Sequence, residues 1–125
     1  MSFCAAINCM DGRVQQPVIR FLQARFGVPF VDMITEPGPS LILADRSNAV
    51  KVQSILERLA ISIHNHAAVG IAVVAHHDCA GNPAPREVQI AHLQEAVRFL
   101  KTHSEARPIL ALWVDETWSV TEIPL

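Results

Sequence analysis

No apolar run in this chain approaches the ~20 residues that a membrane-spanning helix needs. Lysine and arginine form no cluster and the formal net charge is only −2, so the electrostatic footprint of a nucleic-acid binder is missing. The start, Met1-Ser2-Phe3-Cys4, lacks the basic n-region of a signal peptide. Cysteine is scarce and odd in number: Cys4, Cys9 and Cys79 cannot pair into a disulfide framework, and no Cys-x-x-Cys motif is present. Thiols kept reduced fit a cytoplasmic setting. Charged residues make up 18% of the chain, too few for a disordered one. Internal repeats, low-complexity segments and linkers are also absent. These gaps exclude membrane and nucleic-acid partners from the expectation.

What is present suits a core. Half of the 125 residues are apolar, and the length fits one domain over residues 1–125, since domains most often hold roughly 100–150 residues. High apolar content with little charge also points to surface buried between subunits, in a homodimer or higher homo-oligomer.

Phe3 to Cys9 is short and apolar and reads as a buried strand. A helix follows, with Pro17 in its first turn, Val18, Ile19, Leu22 and Phe26 on one face, and Gly27 at its end. Val28 to Ile34 is expected as a second strand, then Glu36-Pro37-Gly38-Pro39-Ser40 as a loop. Asp45 or Ser47 caps the next helix, whose stripe is Val52, Ile55, Leu56, Leu59 and Ile63. Val69 to Ala75 is a third strand. A third helix carries Ile90, Leu93, Val97 and Leu100 on one face. Ile109–Val114 and Ser119–Ile123 form a final strand and an antiparallel partner. The order β-α-β-α-β-α-β-β predicts an α/β fold in three layers. Its mostly parallel sheet is ordered 2-1-3-4 with an antiparallel edge strand, and helices flank both faces.

In open α/β sheets ligands bind beyond the carboxyl ends of the strands, where strand order reverses. Cys9 ends the first strand, and His76 and Cys79 follow the third. Order 2-1-3-4 makes those strands neighbours, so the three residues meet at the switch point. His76 and Cys79 are three apart, which lets one tight turn aim both at a single ion. Cys9, Asp11 and Arg13 alternate, and an extended backbone would put all three on one side. Two thiolates and an imidazole make a zinc set with a fourth position open, for water or for Asp11. Cys4 reads as a core residue, because free cysteine is among the most buried types and no ligand neighbours it. His77 faces the site or solvent, and Asp78 caps the turn or accepts from a backbone N–H. His64, His66, His92 and His103 read as surface residues, and Trp113 and Trp118 as core or interface.

At these residues the sequence resembles the β-class carbonic anhydrases, which carry Cys-x-Asp-x-Arg after the first core strand and His-x-x-Cys after a later one. The matches are Cys9, Asp11 and Arg13, then His76 and Cys79 within Ala75-His76-His77-Asp78-Cys79-Ala80-Gly81. The closing hairpin, Leu112-Trp113-Val114-Asp115 to Val120-Thr121-Glu122-Ile123, is also similar. The resemblance implies that Zn2+ is held by Cys9, His76 and Cys79. Asp11 would accept a hydrogen bond from zinc-bound water or ligate the metal, and Arg13 would hold Asp11. It implies the family's dimeric habit and reversible hydration of carbon dioxide to bicarbonate, a lyase activity on a small-molecule substrate. Two departures stand out. The chain starts almost at the first core strand, where the family has an N-terminal helical arm. The family's Arg-Asn-Ala-Gly loop reads Thr35-Glu36-Pro37-Gly38. They leave two alternatives: a non-catalytic zinc-binding domain with Asp11 as permanent ligand, and a hydrolase of carbonyl sulfide or carbon disulfide.

Overall fold

The computed structural model describes residues 1–103 and 107–125. Its elements are β1 (Phe3–Cys9), α1 (Gln15–Phe26), β2 (Phe30–Glu36), α2 (Pro39–Asp45), α3 (Ala49–Asn65), β3 (Ile71–His76), α4 (Arg86–Lys101), β4 (Ile109–Val114) and β5 (Val120–Ile123). A short 3-10 turn, Gly12–Val14, leads into α1. The strands form one sheet ordered β2-β1-β3-β4-β5. All neighbours are parallel except β4 and β5. The expected α/β architecture and strand order are both found. No helix among the described residues is long and apolar enough to cross a membrane.

Alternation along each strand splits the core into two layers. Ala5, Ile7, Ile71, Val73, Ala75, Ala111 and Trp113 face Leu43 of α2, Ile55 and Leu59 of α3, and Leu93 and Val97 of α4. Cys4, Ala6, Ala72, Val74, Leu110 and Leu112 face the other way, against Val14 and against Val18 and Leu22 of α1. The central strands β1, β3 and β4 are buried on both faces, which explains their unbroken apolar runs. Cys4 is fully buried here, as its sequence context suggested.

Local details differ from the expectation for identifiable reasons. The second strand starts at Phe30, not Val28, because the Val28 N–H closes the end of α1 on the Gln23 carbonyl and Pro29 has no N–H to give. Helix α2 begins inside the segment read as a loop and runs on to Asp45. Pro39 occupies its first turn, where a missing N–H costs no helical bond, and Leu41, Ile42 and Leu43 bring apolar surface. Asp45 therefore ends a helix rather than capping one, and Ser47 donates its hydroxyl to Asp45. The cap of α3 is Asn48, whose Oδ1 accepts from the Lys51 N–H at 3.1 Å. The third strand runs from Ile71 to His76, so His76 belongs to the strand itself.

Helix α1 covers much of its side of the sheet, and Leu22, like Val18, is fully buried there. Leu22→Ala should cost about 2–5 kcal/mol in urea unfolding. A loss under about 1 kcal/mol would mean that α1 does not cover that face in solution.

Candidate metal centre

The end of β1 is held by side chains on each side of Cys9. Asn8 is fully buried; its Oδ1 accepts from the Cys9 N–H at 2.9 Å and its Nδ2 donates to the Val14 carbonyl at 3.1 Å. Gln15 donates through Nε2 to the carbonyls of Cys9 and Asp11, both at 2.7 Å. The backbone does not stay extended from Cys9 to Arg13, as alternation had suggested. It turns at Asp11, whose Oδ1 accepts from the Arg13 N–H at 2.9 Å and caps the 3-10 turn. Capping satisfies a free donor that an extended chain would leave to water. Arg13 returns through its side chain instead. Its Nε donates to Asp11 Oδ1 at 3.0 Å and its Nη2 to Oδ2 at 2.7 Å. This bidentate fork holds the Asp11 carboxyl down at about 2.

The second turn follows β3. Gln89 of α4 donates from one buried amide nitrogen to the carbonyls of His76 and Ala84, both at 3.0 Å. His76 Nδ1 lies 2.7 Å from the His77 carbonyl oxygen. A carbonyl only accepts, so Nδ1 carries the proton and Nε2 presents its lone pair. Asp78 takes the left-handed conformation at φ 57°. This conformation favours Asp and Asn over most residues.

The two turns bring Cys9 Sγ, Cys79 Sγ and a His76 nitrogen together, all within 4.8 Å of one another. The sulfurs are 3.9 Å apart. His76 Nε2 is buried and has no hydrogen-bond partner. An unsatisfied buried lone pair is costly, and facing two thiols it suits a soft metal ion. The donor set fits zinc. Hydrogen bonding from Cys79 outweighs burial and, with His76 and the N–H groups of Gly38 and Asp11, brings Cys9 down to about 4. Cys79, the donor in that pair and itself buried, moves up. One thiolate shared between two close sulfurs accounts for both directions. Burial opposes a charged His76, but the neighbouring Cys9 sulfur and the His77 carbonyl outweigh this and its pKa rises. Cys4 is different: burial, then the Asp32 charge, pushes its thiol up to about 11. It is an inert thiol in the core.

The loop Thr35–Gly38 forms the third wall. A Cβ on Gly81 would lie 2.4 Å from the Pro37 carbonyl carbon, and one on Gly38 2.7 Å from the Gly81 carbonyl carbon. Gly38 also has φ 61°. The single glycine shared with the family's loop thus has a reason: the backbones touch there, and its N–H points at Cys9. Glu36 is occupied by an ion pair with Arg58 of α3, which also donates to the Thr35 carbonyl.

Other candidates fall outside this group. His77, His64 and His66 are exposed; His66 pairs with Asp32 and stacks on Phe3. His103 is exposed beside Phe99. His92 is half-buried, with Nδ1 bound to Asn82 Nδ2 at 2.9 Å, so it is not a plain surface residue. Trp113 lies in the core, and Trp118 stacks under the Arg13 guanidinium at 4.5 Å. Asp78 neither caps nor ligates; it pairs with Arg13. Sequence reasoning missed Asn8, Gln15, Gln89 and Gly38. The readable signal was Asn8, a lone polar residue inside an apolar strand directly before Cys9.

The family model described as "Putative carbonic anhydrase" matches residues 1–124. No curated protein matches the chain. Among solved structures, the β-carbonic anhydrase CafA of the fungal pathogen Aspergillus fumigatus is similar with a TM-score of 0.51 at 14% identity, over 96% of this chain and 74% of that one. At that identity the likeness concerns the fold.

Gly81→Ala should push the turn after β3 away from the Pro37–Gly38 loop while the sheet stays folded. Metal affinity, measured by competition with a chromogenic chelator, is expected to fall about 10–100-fold with an unchanged circular dichroism spectrum. Unchanged affinity would mean that the loop contact does not shape the site.

Proposed function

The chain belongs to the family described as "Putative carbonic anhydrase", and from that premise we propose that Cys9, His76 and Cys79 hold one zinc ion and that the site reversibly hydrates carbon dioxide to bicarbonate. The observation that carries this reading is a buried His76 with an unpartnered Nε2 and a ring nitrogen within 4.8 Å of two cysteine sulfurs. Zinc bound there would supply a hydroxide nucleophile by lowering the pKa of water.

The chain's own residues do the rest. The His77 carbonyl fixes the imidazole tautomer, so that Nε2 is always the ligand nitrogen. Backbone N–H groups of Gly38 and Asp11 stabilise negative sulfur on Cys9, and those of Gly81 and Asn82 do the same for Cys79. Asp11, with its pKa near 2, is ionised at every working pH and can only accept hydrogen bonds. It can therefore orient a protonated oxygen nucleophile toward a small neutral substrate. Arg13 occupies both Asp11 oxygens, which supports an open fourth position over permanent ligation by Asp11. Phe30, exposed at the start of edge strand β2, and Met10, exposed beside its far end at Glu36, support a homo-oligomer.

Two thiolates already cancel the zinc charge. The nucleophile should therefore form at a higher pH than the ~7 of a three-histidine carbonic anhydrase site. Asp11 titrates far below the assay range, so it contributes no inflection there. Stopped-flow hydration is expected to be weak below about pH 7, to rise toward about pH 9, and to vanish in Cys79→Ser. A flat profile, or full activity in Cys79→Ser, would contradict the reading. Stoichiometric zinc without hydration at any pH would favour a binding domain or another substrate.

A further inference from the structure

Asp78 lies between two of the proposed ligands, yet its side chain points away from them and is 71% exposed. Its partner is Arg13, on the other turn. Arg13 Nη1 donates to Asp78 Oδ2 at 3.3 Å and Nη2 to the Asp78 carbonyl at 3.1 Å. The same guanidinium grips both Asp11 oxygens and lies 4.5 Å from the Trp118 ring. Arg13 has five N–H donors, and four of these directions are assigned to Asp11 and Asp78. The turn after β3 and the β4–β5 hairpin therefore fix where Arg13 sits, and Arg13 fixes where Asp11 points.

We propose that Asp78 is a positioning residue. Acting through Arg13, it ties the Cys9 turn to the His76–Cys79 turn and keeps the Asp11 carboxylate on Arg13, away from the metal position. The metal half of this statement rests on the function proposed above; the Arg13 half does not. An exposed ion pair alone is weak. This one counts because the backbone carbonyl and the Trp118 face complete the hold. The left-handed backbone at Asp78 permits a clean test, since glycine adopts φ 57° without strain and removes the carboxylate.

Two readouts on Asp78→Gly decide the matter. In metal-free protein, solvent exchange of the Arg13 Nε–H, followed by NMR, should speed up about fivefold, the scale of one lost exposed charge pair. In cobalt-substituted protein the ligand-field bands should shift as Asp11 approaches the ion, with one ion per chain retained. That shift should disappear in the Asp11→Asn background. Asp78→Asn keeps an acceptor oxygen and a residue tolerant of left-handed backbone but loses the charge, so it should fall between the parent and Asp78→Gly in both. Unchanged exchange and bands in Asp78→Gly would overturn the proposal. Metal loss with unchanged Arg13 exchange would also overturn it, because Asp78 would then only build the turn. A parent protein that takes up no metal would sink the proposed function, while the exchange measurement would still judge the Arg13 half.

Discussion

Parallel pairing of β1 with β3 is the constraint on which the site depends. Ala5, Ala6 and Ile7 pair with Ile71, Ala72 and Val73, so both strands leave the sheet at the same edge, side by side. The chain reaches β2 from β1 through α1 on one face, and reaches β3 from β2 through α2 and α3 on the other. The crevice between β1 and β3 is therefore the switch point, where no crossover helix covers the strand ends. Residues about seventy positions apart meet there because of topology, before any side chain contributes. A one-residue slip in either strand would send its alternating side chains to the opposite face, and both core layers oppose that.

Around that crevice the fold places polar groups that a core would otherwise reject. Asn8, His76, Asn82 and Gln89 are all buried at or beside the two turns. Most of their hydrogen bonds hold backbone carbonyls and N–H groups in fixed directions, which is how a small domain sets side chains to within tenths of an ångström. Two buried atoms of these residues have no protein partner, Gln89 Oε1 and His76 Nε2, and only the histidine is grouped with the two thiols. The charged layer lies outside this, at the rim. Arg13 joins Asp11, Asp78 and Trp118, three separate stretches of chain, around one planar group.

Much of this could be read in the sequence, and the parts that could not have a common cause. Strands β1, β3 and β4 announce themselves because they are buried on both faces and need continuous apolar runs. The clusters at Cys9 and His76–Cys79 stand out because thiols and imidazole at strand ends have little structural use there. Cys4 reads correctly as core for the opposite reason, since it sits amid small apolar residues. What stayed hidden depends on contacts across the fold. Helix α2 is one turn too short to show a period, and its Pro and Gly residues look like loop signals until Gly38 meets Gly81. The turn at Asp11 is invisible to alternation because a side-chain cap sets it, Asp11 Oδ1 accepting from the Arg13 N–H. Gln89 looks like any helical glutamine until α4 docks and puts it under the His76 carbonyl.

Two thiolates and one imidazole, from Cys9, Cys79 and His76, are the proposed ligands of a zinc ion. X-ray absorption at the zinc edge of the purified, zinc-loaded protein tests this ligand set most directly. Two sulfur scatterers are expected at about 2.3 Å, with the first shell completed by nitrogen or oxygen at about 2.0–2.2 Å and one nitrogen showing imidazole outer-shell scattering. Zinc surrounded by oxygen and nitrogen alone, with no sulfur in the first shell, would contradict it.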